Sequence, residues 1–286
     1  MKRTDIISFS FRDELERIRA ATAGQAASRL IIHQDAPLVE RHLSWHSDFC
    51  RACVGMGYLS SRQMQRAAQR YRLGMARDGG VIFWQVDLLG QVCDGKVMYY
   101  RPDCHRDHGH SPTWVSSELK RFYGCPVDHP PVHCLFGTHL VTHPQPLPCR
   151  RGVVESFNES GGRGESAVAI VESEKTAVIM SEHYPDCLWL AAGGLNELTP
   201  AKLFPLKGHK VILFPDTDTD CTAFSLWYGV AQKARQLLGQ DIFVSPLLEQ
   251  RATPEQKRRK IDIADYVWEI GLKSKRMEAE SDANSA

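Results

Sequence analysis

No run in this chain approaches the ~18 consecutive apolar residues that a membrane-spanning helix needs. The opening MKRTDIISFSFRDELER returns to charge before any apolar signal segment forms. Both absences point to a cytoplasmic protein with no membrane partner. The chain also lacks an excess of either charge: 35 Lys and Arg against 34 Asp and Glu leave a formal net charge of +1. A nucleic-acid surface, if present, must therefore be local. The paired cysteine count of a disulfide framework is missing too. Nine cysteines without a secretion signal fit reduced thiols or metal ligands, and disulfides are the lesser reading. What remains is the composition of a folded protein, 43% hydrophobic and 24% charged over 286 residues, enough for one large domain or two modest ones.

Residues 1–34 mix charge with Ala, Ser and Gly and read as an N-terminal arm. From Pro37 to Leu73 apolar residues recur at helical spacing, with Ser60-Ser61 as N-cap for a helix over Arg62 to Tyr71. Val81 to Val86 and Lys96 to Tyr100 read as two strands pairing antiparallel, joined by hairpin material from Gly90 to Gly95. Residues 35–154 thus form a smaller α+β region. The polar, glycine-containing stretch 155–165 is the expected linker.

The pattern then changes. Strands Val168 to Val171, Cys187 to Ala192, Lys210 to Phe214 and Asp241 to Val244 alternate with helices over Glu174 to Glu182, Pro200 to Leu206 and Thr222 to Leu238. Short, nearly continuous apolar strands separated by helices predict an α/β domain over 166–272, a parallel sheet with helices on both faces. The charged tail, 273–286, reads as disordered.

In open parallel sheets, ligands collect at the carboxyl ends of the strands. Two predicted strands end there in carboxylates: Val171 runs into Glu172-Ser173-Glu174, and Phe214 runs through Pro215 into Asp216-Thr217-Asp218-Thr219-Asp220. If these strands are neighbours, Glu172, Asp216 and Asp218 meet at one edge. Clustered carboxylates repel one another unless a hard divalent cation neutralises them, which points to Mg2+ or Mn2+ and to phosphoryl-transfer chemistry. An unpaired carboxylate beside the ion serves as general acid or base. The plainer reading makes 216–220 a solvated turn and Glu174-Lys175 the first turn of a helix, with Lys175 in solvent. A third acidic element, Asp262 and Asp265, matches an ordinary helix start as well. Before it, Lys257-Arg258-Arg259-Lys260 reads as a solvated loop, with nucleic-acid contact the sharper alternative.

Taken together, Val171 to Ala177 resembles the first Toprim motif, E-G-x-x-D-A after a hydrophobic strand, and Leu213 to Asp218 resembles the second, D-x-D. Asp262 to Tyr266 is similar to the K-D-x-x-D-Y segment that closes the Toprim domains of primases and primase-helicases. Upstream, the segment Gly57 to Gly74, the Val81 to Asp87 run with Gly90, and Cys134 to Gly137 follow the order of the catalytic core of bacterial DNA primases. The resemblance also extends to Toprim proteins of plasmids and conjugative elements. It implies Glu172 as acid/base, Asp216 and Asp218 as metal ligands, and Glu174, Lys175, Asp220, Asp262 and Asp265 as accessory residues. It further implies single-stranded DNA and nucleotides as substrates, with a helicase or mobilisation protein as partner. The sequence departs from the family pattern at three places: Ser173 replaces the motif glycine, Thr176 its aspartate, and Cys221 lies where a glycine usually follows D-x-D. Those glycines let a ligand approach the backbone closely. The four-cysteine zinc ribbon of primases is absent from this sequence.

Three function classes stay open: a Toprim enzyme, as primase-like polymerase or nuclease; a non-catalytic DNA-binding or adaptor module; and a haloacid-dehalogenase-type phosphatase with Asp216 as nucleophile. The last needs its motif after the first strand, whereas here it follows the third. Zinc is weighed at two places. His42, His46, Cys50 and Cys53 fall on one predicted helix over ~16 Å, which cannot wrap a single ion, so buried thiols are expected there. Cys104, His105, His108, His110, Cys125, His129, His133 and Cys134 are the richer set for Zn2+, though not the favoured reading. Trp84, Trp114 and Phe136 read as core rather than as base-stacking platforms.

Overall fold

The structure is a computed structural model that describes residues 36–123, 133–141 and 167–272. The expected arm, linker and tail lie outside them, as do Cys125 and His129. The chain divides into two compact units, Met1–Thr142 and His143–Ala286.

The N-terminal unit begins with helices Ala36–His42, Asp48–Gly55 and Ser61–Arg70. Ser60 closes the third with a reciprocal capping box to Gln63, so the N-cap is where the sequence places it. The single helix expected through His42 and Cys53 is broken, because Ser47 caps a new helix by accepting the Cys50 amide. Cys50 and Cys53 are buried, and burial pushes the Cys50 thiol up to about 11.

A four-stranded antiparallel sheet follows, in the order β1 (Gly74–Met75), β2 (Val81–Val86), β3 (Val92–Met98), β4 (Thr113–Trp114). The expected pairing of β2 with β3 is present, but β3 starts at Val92, inside the stretch read as hairpin. Two residues there carry no strand signal in the sequence. Asp94 is buried and accepts from the Ser116 hydroxyl (2.6 Å) and amide (3.1 Å). Gly95 lies opposite Trp84, where a Cβ would sit 2.7 Å from the indole ring. One sheet face packs Ile82, Trp84, Val86 and Val97 with Val115 and Leu119 of helix Val115–Tyr123. A second cluster joins Phe83 to Phe49 and Phe136, and Phe136 stacks on Tyr71. Trp84 and Phe136 are therefore core, whereas Trp114 is half-buried and stacks on His133.

The C-terminal unit holds a parallel sheet in the order β6 (Leu188–Ala191), β5 (Val168–Val171), β7 (Val211–Phe214), β8 (Ile242–Val244). Strands β5 and β7 are buried along their whole length, as their unbroken apolar runs require. From β5 the chain passes through helix Glu174–His183 to β6 on one side. From β7 it passes through helix Thr222–Leu238 to β8 on the other. The order therefore reverses between β5 and β7, and in open α/β sheets the crevice at such a reversal is where ligands bind. Helices Leu247–Arg251 and Pro254–Arg259 and a final helix over 263–272 complete the unit. Among the described residues no helix is long and apolar enough to cross a membrane.

Candidate functional site

The β5–β7 reversal brings Glu172 and Asp216 together. The Asp216 amide donates to Glu172 Oε1 at 3.2 Å, while the Glu172 carbonyl accepts from Gly193 at 2.9 Å. Neighbouring strands thus deliver their first carboxylates to one edge. Glu172 is buried, and loss of hydration pushes its carboxyl up to about 7. The Asp216 amide opposes that rise, and the charges of Asp262 and Asp218 reinforce it. Asp216 keeps part of its surface in solvent, yet its carboxyl is displaced well above the usual carboxylate range, first by lost hydration and then by the charges of Glu172 and Asp262.

Asp218 does something the D-x-D pattern does not announce. Its Oδ1 accepts the amides of Asp220 and Thr222, and its Oδ2 accepts that of Ala223, all at 2.9 Å. It therefore caps the long helix Thr222–Leu238. Burial pushes its carboxyl up, but these amides and Lys260 outweigh burial and hold it below the usual range. Both lone pairs of Oδ1 are thus engaged, and Oδ2 keeps one for a further partner. Asp220 is exposed and contributes its amide to this cap.

Asp262 and Asp265 reach the same edge because the Thr217 amide donates to the Ile261 carbonyl, at 3.2 Å. Asp262 accepts the Asp265 amide at 2.8 Å and caps the helix over 263–272. Lys175 is not in solvent, as the plainer reading expects. It is buried, with Nζ 3.4 Å from Asp262 Oδ2 and 3.3 Å from Asp265 Oδ1. Thr176, which stands where the Toprim motif has an aspartate, donates its hydroxyl to Asp262 at 2.6 Å. Asp262 thus sets a buried carboxylate beside Thr176. Burial raises the Asp262 carboxyl, but Lys175 and these hydrogen bonds hold it below the usual range. Glu174 is buried in the first turn of its helix.

Two backbone features bear on ligand approach. Cys221, at the position of the missing glycine, adopts φ +55, so the left-handed conformation that favours glycine persists with a cysteine in it. Its thiol donates to Glu249 Oε2, which also takes Lys257 Nζ at 2.6 Å, while Glu249 Oε1 accepts from Thr217. Sequence reasoning misses this Glu249 cluster because Glu249 lies 28 residues from Cys221 and 32 from Thr217, with no local pattern to join them. Gly193 and Gly194, at φ +96 and +152, leave bare backbone beside Glu172.

The basic run is helical rather than a loop, over Pro254–Arg259. Lys257 is bonded to Glu249, Arg258 to Glu255 and Arg259 to Glu269. Lys260 is exposed at φ +54, and its charge acts on Glu172 and Asp218. Of the cysteine- and histidine-rich set, Cys104 is buried, His110 bonds Asp107 and His133 lies 3.4 Å from Asp94. Among the described residues no group of three or more His, Cys, Asp or Glu side chains is arranged to hold a metal ion.

Fold and site define a two-unit α/β protein with an anionic edge at the reversal point of a parallel sheet. The chain belongs to the family described as a domain of unknown function (DUF6371), which it matches over residues 52–156 and 162–217. Glu172 and Asp216 fall inside the match, and Asp218 falls just beyond it. No curated protein matches the chain.

Proposed function

We propose that the C-terminal unit is a Toprim-type domain, and that the chain performs divalent-metal-dependent phosphoryl transfer on nucleic acid as a primase-like nucleotidyltransferase of a bacterial mobile element. The observation that carries this reading is the pair Glu172 and Asp216, joined across the sheet reversal with both carboxyls driven upward by burial and by the charges of neighbouring carboxylates. Such an edge is short of positive charge even with Lys175 in place.

The donor set suits Mg2+ or Mn2+. A magnesium ion keeps several waters and needs only one or two carboxylates, so a ready-made cage is not required. Asp216 and the unused lone pair of Asp218 Oδ2 would hold the ion, which would supply charge neutralisation for a phosphate. Glu172, with its carboxyl near 7, is poised to take or return a proton at neutral pH. The bare backbone of Gly193 and Gly194 gives room for a phosphate to approach.

The test is a gel assay of single-stranded DNA, ribonucleotides and Mg2+ or Mn2+, run beside Glu172→Gln. New oligonucleotides that vanish in the variant are the expected result. Shortened DNA strands instead would make the domain a nuclease. Products equal in both proteins, or none in either, would sink the catalytic reading.

A further inference from the structure

We propose that the arginine-bearing side of helix Ser61–Arg70, in the N-terminal unit, binds a nucleic-acid phosphate backbone. Residues 49–77 contain Arg51, Arg62, Arg66, Arg70, Arg72 and Arg77 and no Asp, Glu or Lys. In a chain of net charge +1 this is a strong local concentration. Arg51 bonds Asp48 and the His46 carbonyl.

Arg62, Arg66 and Arg70 recur every fourth residue, so they line one side of the helix with a rise of ~6 Å between neighbours. Arg62 and Arg66 are exposed, as are Gln65 and Gln69, and Arg70 is half-buried. Just past the helix, exposed Arg72 is held at φ +52. The opposite side, Met64, Ala67 and Ala68, is buried, and the Ser60 capping box fixes the first turn. The arginines are therefore displayed on a rigid support.

Like charges at four-residue spacing weaken a helix, and a surface serving solubility alone mixes both signs. Here the cations are all arginine, whose forked guanidinium pairs with phosphate oxygens in two bonds and stays charged. The exposed residues of this side are arginine and glutamine, with no apolar residue to enter a membrane interface. A polymer of regularly spaced phosphates is the partner that this regular array fits. The inference does not rest on the acidic edge and needs no metal.

The test uses the full chain and a fluorescein-labelled single-stranded oligonucleotide in EDTA, with anisotropy followed against KCl concentration. Arg62→Gln with Arg66→Gln is expected to weaken binding at least tenfold. It should also lower the slope of log affinity against log salt by about 1.4, two phosphates at roughly 0.7 each. Arg62→Gln alone lowers the slope by about 0.7, while lysine at both positions preserves it. Unaltered circular dichroism and melting show that the variants fold. Affinity and slope unchanged in the glutamine variants would overturn the proposal, as would phosphatidylserine vesicles binding where the oligonucleotide does not. EDTA keeps the outcome separate from any failure of the metal site.

Discussion

Lys175→Met is expected to cost the C-terminal unit about 3–5 kcal/mol, the usual penalty for leaving buried carboxylates without their cation. Lys175 Nζ lies within 3.4 Å of both Asp262 and Asp265, and its charge also restrains the Asp216 carboxyl. Methionine fills the space of the stem but removes the buried cation that these acids share. Against a total stability of roughly 5–15 kcal/mol, that loss brings the unit close to unfolding. Urea titration at neutral pH reads it as a large fall in midpoint. Adding Asp262→Asn to Lys175→Met should recover part of the loss, since the double change removes both members of the pair. A Lys175→Met midpoint equal to that of the unaltered chain would mean that the ion pairs contribute nothing.

Glu172→Gln is expected to stabilise the protein, and the gain should depend on pH. In the folded chain the Glu172 carboxyl is raised from 4.5 to about 7, so the folded state holds that proton more tightly than the unfolded state. Stability therefore falls as pH climbs from about 4.5 to about 7 and levels off above. A displacement of that size corresponds to about 3 kcal/mol. Glutamine keeps an oxygen for the Asp216 amide and carries no charge, so the variant escapes this decline. Melting curves at pH 5 should nearly coincide, while at pH 8 the variant should melt several degrees higher. Curves that stay parallel across the range would show that Glu172 ionises as an ordinary surface carboxylate.

The same residues show what a linear reading can and cannot reach. Strands β5 and β7 were legible because each is an unbroken apolar run, as a buried parallel strand demands, and each is followed within two residues by a carboxylate. Glu172 and Asp216 followed from that. Asp218 was legible as an acid but not as a cap: its role depends on the helix beginning at Thr222, and the amides of Thr222 and Ala223 claim its oxygens. Lys175 looked like a solvated first-turn cation because its partners, Asp262 and Asp265, lie far along the chain. The start of β3 was missed for a similar reason. Asp94 and Gly95 are poor strand residues by propensity, and their strand conformation is bound up with Ser116 and Trp84.

The edge between β5 and β7 is proposed as a divalent-cation site. Calorimetric titration of Mn2+, then Mg2+, into the unaltered chain and Asp216→Asn tests it most directly. Asparagine keeps the shape and the Asp216 amide bond while removing one charge, and it spares the cap made by Asp218. One Mn2+ should bind the unaltered chain, with affinity at least tenfold weaker in the variant, a loss of about 1.4 kcal/mol or more, and the fold intact. Equal affinity in both proteins, or no Mn2+ bound by either, would contradict it.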